Sequence, residues 1–293
     1  MTDLRELIHA LHQRFTAADL SYGHGTDNAW DEAVALALAV TGFEDDESEL
    51  ARYVPPDQEV AAHELAGRRA SERVPLAYVL GRWPLAGVEF LVEPGVVVPR
   101  SPIAFLLAEG LAPWCVQPPA RVLDLCSGSG CLGILAAMAF PECTVQLSEL
   151  DPQAADLAAR NVELHGLSDR VAVRTGDLYE PVQGPFDLII ANPPYVDAAD
   201  MSTLPAEYRA EPAMGLGAGA DGLDVVRRIL AEASGHLAEG GVLVCEVGAS
   251  APALLRAYPE VPFIWPHLPG GGEGVFLLDH AALRSHTSRL QSI

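Results

Sequence analysis

Residues 122–131 read VLDLCSGSGC, and this stretch decides the fold of the chain. A short apolar strand here runs into a glycine-rich turn and then into a helix, an arrangement that brings backbone N–H groups close to a bound ligand. From Ala120 onward the sequence keeps alternating strand and helix patterns. That alternation predicts an α/β fold with a doubly wound parallel sheet.

The elements of this sheet are predicted from β-branched runs and from longer stretches with helical periodicity. The predicted strands are Val122–Leu125, Val145–Glu149, Val171–Thr175, Asp187–Ala191, Val242–Val247 and Val275–Leu278. The predicted helices are Cys131–Phe140, Pro152–His165, Leu223–Leu237 and Ala251–Ala257.

The glycine-rich turn allows two interpretations. Gly128, Gly130 and Gly133 spell the Gly-x-Gly-x-x-Gly fingerprint, and Glu149 could be its ribose-binding acid, so a nicotinamide enzyme is one candidate. The carboxylate of Asp124 favours another ligand, because it would repel a pyrophosphate and attract a cation that carries an amino group.

A second motif follows the fourth predicted strand, where residues 186–195 read FDLIIANPPY. The prolines end the strand and hold Asn192 extended at its carboxyl end, where open α/β sheets bind their ligands. An asparagine amide has no useful pKa, but Asn192 Oδ1 and the Pro193 carbonyl can accept the two hydrogens of a planar NH2 group. The ring of Tyr195 could pack on the flat face of that group, although the same residues could serve only to end the strand.

The regions before the sheet differ from it in pattern. Residues 1–75 read as helices that carry recognition, with neither a phosphate loop nor metal-ligand spacing. Residues 76–100 read as a β-hairpin connector that starts at Tyr78–Leu80, and residues 101–293 form the α/β domain.

Composition narrows the classes of function. The 293 residues include 18 basic and 40 acidic side chains, a formal net charge of -22, which disfavours direct binding to DNA and favours a basic protein partner. The five cysteines form no Cys-x-x-Cys pair, so neither a zinc site nor a disulfide framework is expected. Asp3, Arg5 and Glu6 stand where a signal peptide would be apolar, and no span approaches the roughly 18 apolar residues of a membrane helix, so a cytoplasmic protein is expected.

These motifs together resemble S-adenosylmethionine-dependent methyltransferases that modify nitrogen. The shared pattern is Asp124-x-x-x-Gly128-x-Gly130, an acid after each of the next two strands, and Asn-Pro-Pro-Tyr at 192–195. The helical segment and the Val-Pro-Arg ending of the connector are similar to the protein-(glutamine-N5) methyltransferase family. Within it, residues 22–33 (YGHGTDNAWDEA) and 98–103 (VPRSPI) resemble the branch that methylates the third protein of the large ribosomal subunit.

The resemblance implies a class I Rossmann-like fold with a reversed seventh strand, Val275–Leu278, inserted antiparallel, and it implies S-adenosylmethionine as cofactor. It assigns residues 1–75 to substrate recognition and residues 101–293 to the methyltransferase domain. The implied cofactor-binding residues are Asp124, Cys126, Ser127, Gly128, Ser129, Gly130, Glu149, Asp177, Leu178 and Asn192. The implied substrate-binding residues are Asn192, Pro193, Pro194 and Tyr195, of which Asn192 and Pro193 would be catalytic.

Three other functions remain open from the sequence. The substrate glutamine could belong to a peptide release factor, or the Asn-Pro-Pro-Tyr segment could grip the N6 amine of adenine in nucleic acid. The chain could also be a non-enzymatic ribosome-assembly factor that keeps the domain for docking. His24 is interpreted as a turn or docking residue rather than as a catalyst. Arg100 either reaches a carboxylate in the site or fixes the connector, and the second interpretation is favoured. Glu246 ends a strand near the cofactor edge, and a capping role is equally compatible with its position.

Overall fold

A computed structural model describes residues 1–115, 117–268 and 273–292. The chain begins with three helices, α1 (Leu4–Ala17), α2 (Ala29–Thr41) and α3 (Pro56–Glu72). They pack through a shared apolar cluster that includes Leu7 and Leu36, both fully buried. The helical character predicted for the first 75 residues is therefore confirmed, whereas the domain boundaries at 75 and 100 stay a prediction.

The starts of α1 and α2 follow from their capping residues. The Asp3 carboxylate accepts from the backbone N–H of Glu6, and the Glu6 carboxylate accepts from the backbone N–H of Asp3. Asn28 caps α2 by accepting from the N–H groups of Trp30 and Asp31. Each cap satisfies donors that the helix itself leaves unpaired.

The connector contains a helix as well as a hairpin. Strands β1 (Arg82–Leu85) and β2 (Val88–Leu91) pair antiparallel, as the predicted hairpin requires. Residues Tyr78–Leu80, which were predicted to open the hairpin, instead belong to helix α4 (Leu76–Leu80), so that detail was wrong. Gly81 ends α4 with a left-handed conformation at φ 70, which a glycine adopts without strain.

The central sheet has six strands in the described residues, and all six predicted strands are present. They are β3 (Arg121–Leu125), β4 (Thr144–Glu149), β5 (Val171–Thr175), β6 (Phe186–Ala191), β7 (Leu237–Glu246) and β8 (Val275–Asp279). Their order is β5-β4-β3-β6-β7-β8, in which β8 alone runs antiparallel to its neighbour. The antiparallel orientation predicted for Val275–Leu278 is thus confirmed, but among the described residues this strand is the sixth of the sheet and lies at its edge, not inserted between two strands.

Nine more helices lie within the described residues after the connector, and most of them pack on the sheet. They are α5 (Ile103–Ala108), α6 (Cys131–Ala139), α7 (Pro152–Leu164), α8 (Ala198–Thr203), α9 (Ala206–Arg209), α10 (Asp224–His236), α11 (Ala251–Ala257), α12 (His280–Ser285) and α13 (Thr287–Leu290). One apolar cluster joins α5, α6 and α7 to one face of the sheet, and a second joins α10, α11 and α12 to the other. The four predicted helices of this region are among them, and each observed boundary lies within one residue of its prediction.

Buried ion pairs attach the helical segment to the loop that follows the Asn-Pro-Pro-Tyr motif. Arg69 on α3 is fully buried and contacts Glu32 on α2 at 2.9 Å. Arg69 also lies 3.5 Å from Glu207 on α9, and Arg73 contacts the same carboxylate at 2.9 Å. Since unpaired buried charges are costly, these contacts fix α9 relative to α2 and α3.

Candidate active site

The site lies where the strand order reverses. β3 and β6 are neighbours, and Leu125 is paired with Ala191 in the parallel register. The residues that follow, Cys126 and Asn192, therefore emerge side by side at the carboxyl edge of the sheet, the usual ligand position in this architecture. A cavity of about 480 Å³ opens there.

The cavity brings together the residues predicted from the two motifs. Those that line it are Asp124, Cys126, Ser127, Gly128, Ser129, Glu149, Asp177, Leu178, Asn192, Pro193, Pro194 and Tyr195. Gly130 is the one predicted residue outside the cavity lining. It is the N-cap residue of α6 and has a left-handed φ of 79. A Cβ at Gly130 would lie 3.0 Å from Leu147 and 3.1 Å from Ala158, and both this crowding and the left-handed φ favour glycine there.

Three backbone N–H groups of the glycine-rich turn already donate hydrogen bonds to acceptors within the protein. The N–H of Ser127 donates to the Ser148 carbonyl at 3.2 Å, and the N–H of Gly130 donates to the Ser127 carbonyl at 2.8 Å. The N–H of Gly128 donates to the Glu149 carboxylate at 2.7 Å. These three donors are occupied and a carboxylate stands beside them, so the turn is unsuited to a pyrophosphate. The geometry therefore disfavours the nicotinamide interpretation.

Asp124 is a buried acid with one free oxygen. Its Oδ2 accepts from the N–H of Gly133 at 2.8 Å, whereas its Oδ1 has no partner among the described residues. Burial, with a smaller contribution from the nearby Glu149 carboxylate, raises the pKa of Asp124 to about 7. The hydroxyl of Ser127 is buried without a partner in the same part of the chain. Orphaned polar groups on a cavity wall indicate the place of a polar ligand.

Asp124 is therefore expected to contribute both to cofactor binding and to stability, and two substitutions separate these contributions. We expect Asp124→Asn, which keeps an acceptor for the Gly133 N–H, to weaken cofactor binding about tenfold through the lost charge. Asp124→Ala should additionally cost about 1 kcal/mol of stability, because it removes the acceptor at the start of α6. Calorimetric titration with S-adenosylmethionine and urea unfolding measure the two effects. Unchanged affinity in Asp124→Asn would remove this carboxylate from the binding site.

Two more acids lie farther along the same edge. Glu149 accepts from Gly128 with Oε2 and from the N–H of Asp151 with Oε1, at 2.7 and 2.9 Å, which fixes its carboxylate at the cavity wall. Asp177 Oδ2 accepts from Arg228 at 2.8 Å, a contact that the sequence did not predict. Leu178 next to it has φ 47, a left-handed conformation that a leucine adopts only at some cost in strain.

These features fit S-adenosylmethionine. Its sulfonium and amino groups are cationic, and the cavity presents Asp124, which has a free oxygen, together with Glu149 and Asp177. Opposite charges favour such a ligand where a dinucleotide phosphate would be repelled. The residue-by-residue roles in cofactor binding remain a prediction.

The Asn-Pro-Pro-Tyr segment forms the neighbouring wall. Asn192 is half-buried, and no hydrogen bond to another described residue occupies its carboxamide. Tyr195 is fixed at both ends, since its hydroxyl donates to Glu246 at 2.9 Å and its carbonyl accepts from the Ser250 hydroxyl at 2.8 Å. A Cβ at Gly248 would lie 2.5 Å from the Tyr195 ring, so the ring needs a glycine beside it.

Several lining residues were missed by sequence reasoning. Gly23 from the helical segment, Val97 from the connector, and Tyr208 and Met214 from the loop after β6 complete the cavity. A Cβ at Gly23 would lie 2.1 Å from the Tyr208 hydroxyl, which shows how closely the two segments approach. The Tyr-Gly-His-Gly pattern was the available signal, although nothing in it points to Tyr208.

A buried charge cluster supports this wall. Arg100 donates to both oxygens of Glu211, at 2.6 and 2.8 Å, and His24 Nε2 lies 3.3 Å from Glu211 Oε2. Burial raises the pKa of Glu211, but the contact with His24 and the charge and hydrogen bonds of Arg100 outweigh it and hold that pKa at about 2. His24 and Arg100 therefore attach the helical segment and the connector to the loop after α9.

The described ranges, 1–115, 117–268 and 273–292, contain neither a metal-binding cluster nor a membrane-spanning helix. No three histidine, cysteine or acidic side chains come together there in a way that could hold a metal ion. None of the helices in those ranges is both long and apolar enough to span a bilayer.

Comparison with known proteins agrees with the geometry. The family model for the methyltransferase small domain matches residues 105–207. A ribosomal protein uL3 glutamine methyltransferase from Bordetella pertussis is 45% identical over 287 residues, which cover 96% of each chain. The same enzyme from Burkholderia pseudomallei is 43% identical over 291 residues, covering 95% of this chain and 94% of that protein.

A solved structure supports the fold alone. The crystal structure of the hMettl16 catalytic domain in complex with a MAT2A 3'UTR hairpin superposes with a TM-score of 0.52. It is 17% identical and covers 76% of this chain and 81% of its own. The class I methyltransferase fold predicted from the sequence is therefore confirmed. Identities above 40% over nearly the whole length show more, and the chain belongs to the family of ribosomal protein uL3 glutamine methyltransferases.

Proposed function

We propose that this protein transfers a methyl group from S-adenosylmethionine to the side-chain amide nitrogen of a glutamine in ribosomal protein uL3. The observation that carries the proposal is the Asn192 carboxamide at the cavity wall, which forms no hydrogen bond with another described residue. It lies beside an acid-lined pocket that fits the cofactor. The names of relatives at 45% and 43% identity supply the substrate.

Asn192 and Pro193 would act by orienting the substrate nitrogen. A primary amide is a poor nucleophile, because its nitrogen lone pair is delocalised into the carbonyl. Asn192 Oδ1 and the Pro193 carbonyl can each accept one hydrogen of the NH2 group, which turns the lone pair toward an electrophile. These bonds strengthen as the nitrogen becomes pyramidal, so they favour the transition state over the bound substrate.

S-adenosylmethionine would supply an electrophilic methyl group on a sulfonium. The task left to the protein is to align the reacting groups and to exclude water. Asn192 cannot act as a base near neutrality. The proton can leave after the transfer, so no titrating side chain is needed at the nitrogen.

The surface charge suits the proposed partner. A net charge of -22 attracts a basic ribosomal protein and repels nucleic acid, which favours glutamine over the N6 amine of adenine as the acceptor.

Incubation of purified uL3 with the enzyme and methyl-labelled S-adenosylmethionine tests the proposal. We expect one glutamine side chain of uL3 to gain one methyl group, located by mass spectrometry of proteolytic fragments. Parallel reactions with a peptide release factor and with plasmid DNA identify the alternatives. Label in either of these, with none in uL3, would overturn the substrate assignment.

A further inference from the structure

A buried carboxylate connects two walls of the cavity. Glu246 ends β7 and is 5% exposed. Its Oε1 accepts from the Tyr195 hydroxyl at 2.9 Å, and its Oε2 accepts from the Ser101 hydroxyl at 2.5 Å. Ser101 belongs to the segment after the connector, whereas Tyr195 belongs to the Asn-Pro-Pro-Tyr motif, so Glu246 joins elements 94 residues apart in the chain.

The two hydroxyls are the hydrogen-bond donors that Glu246 needs in its position. A buried carboxylate is costly unless donors satisfy both of its oxygens. Burial raises the pKa of Glu246, and the hydrogen bonds from Ser101 and Tyr195 work against that rise. Hydroxyl-to-carboxylate bonds are short and strong, which agrees with the distance to Ser101.

The network leaves the Tyr195 ring little freedom. The hydroxyl end is held by Glu246, the backbone carbonyl is held by Ser250, and Gly248 leaves room for one face of the ring. Ser101 also lines the cavity, whereas Glu246 is not among its lining residues. Glu246 therefore has no contact surface for the substrate, and any effect it has on the reaction passes through Tyr195 or Ser101.

We propose that Glu246 and Ser101 are positioning residues that hold the Tyr195 ring in the plane required to pack on the substrate carboxamide. The inference rests on the proposed function, because it concerns how the same cavity orients a glutamine side chain. A ring that turns or shifts would let the amide leave its alignment with the methyl donor. A displaced ring should therefore lower kcat, whereas the affinity of the acid-lined pocket for S-adenosylmethionine should not change.

Single-hydroxyl substitutions test this role. Ser101→Ala and Tyr195→Phe each remove one donor to Glu246, and Ser101→Ala also removes the acceptor of the Ile103 N–H at the start of α5. We expect each to lower kcat for uL3 methylation about tenfold, a modest part of the roughly 100-fold that a 1 Å misplacement can cost. Affinity for S-adenosylmethionine, measured by calorimetry, should change less than about twofold, because neither Ser101 nor Tyr195 is among the implied cofactor-binding residues.

A double-mutant cycle gives the readout that a merely structural role would not produce. Since both hydroxyls act through Glu246, the Ser101→Ala/Tyr195→Phe pair should lose much less in kcat than the product of the two single losses. Ser101→Thr, which restores a hydroxyl, should recover most of kcat. Ser285→Ala removes an exposed hydroxyl far from the site and should leave kcat unchanged.

The proposal is overturned if Ser101→Ala, Tyr195→Phe and Glu246→Gln all keep the kcat of the unmodified enzyme while only their melting temperatures fall. Independent losses that multiply in the double variant would also overturn it. Wild-type activity on uL3 is measured first. If the wild-type enzyme does not methylate uL3, the proposed function fails, whereas active wild type with unaffected variants contradicts only the positioning role.

Discussion

Asn192→Ala is expected to reduce methyl transfer to uL3 by at least about 10²- to 10³-fold, the usual cost of removing one transition-state hydrogen-bonding group. The substitution removes the acceptor for one amide hydrogen, so the glutamine nitrogen is no longer turned toward the methyl donor. The fold should persist, because no described residue depends on this carboxamide for a hydrogen bond. Single-turnover assays with labelled cofactor measure the loss.

Two matched variants separate chemistry from stability. Asn192→Asp keeps an acceptor oxygen and should retain more activity than the alanine variant. Asn28→Ala removes a carboxamide of the same kind from the cap of α2. It should cost about 1 kcal/mol of stability and leave the rate nearly unchanged. Near-normal methylation by Asn192→Ala would rule out the amide clamp.

Arg69→Ala is expected to lower the free energy of unfolding by about 3–5 kcal/mol, the penalty for breaking a buried ion pair from one side. The guanidinium is fully buried between Glu32 and Glu207, and its removal leaves both carboxylates without their shared partner. The neighbouring Arg68 provides a matched control. Its pair with Glu72 is half exposed, so Arg68→Ala should cost less than about 0.5 kcal/mol.

The pH dependence of Arg69→Ala identifies the cause. Burial already raises the pKa of Glu32, and Arg69 opposes that rise. Without the arginine the folded pKa should lie farther above the unfolded value, so the folded state binds a proton more tightly. The loss of unfolding free energy in Arg69→Ala should therefore shrink as the pH falls toward about 5 and grow above neutrality. Equal deficits at both pH values in urea unfolding would contradict the ion-pair explanation.

The strands of the central sheet could be predicted because each is a short apolar run with clear ends. Pro193 and Pro194 end β6, and glycines end β3, so the sites at these ends could be located as well. The helix at Leu76–Leu80 could not be separated from a strand. A five-residue apolar run fits both, and its burial on the helical cluster decides the conformation.

The choice of ligand also needed the structure. Gly128, Gly130 and Gly133 satisfy a dinucleotide fingerprint in the sequence. Only the structure shows that three N–H groups of the turn donate to Ser148, Ser127 and Glu149 and are not available to a phosphate. Spacing alone does not reveal which partner a backbone donor selects.

The wall formed by Gly23 and Tyr208 could not be predicted, because those residues are 185 positions apart and meet only through tertiary packing. Nothing in the sequence marks Glu207 on α9 or Glu211 in the loop after it as a buried acid. Their burial depends on Arg69 and Arg73 at the end of α3 and on Arg100 at the end of the connector. Arg100 reaches a carboxylate beside the cavity, one of the two alternatives that the sequence left open for it.

A structure of the enzyme with S-adenosylhomocysteine and a uL3 peptide that contains the target glutamine would test the central claim most directly. We predict that Asn192 Oδ1 and the Pro193 carbonyl accept the two hydrogens of the glutamine NH2, with its nitrogen facing the cofactor sulfur. An Asn192 side chain turned away from that sulfur, or a glutamine bound elsewhere, would contradict the account.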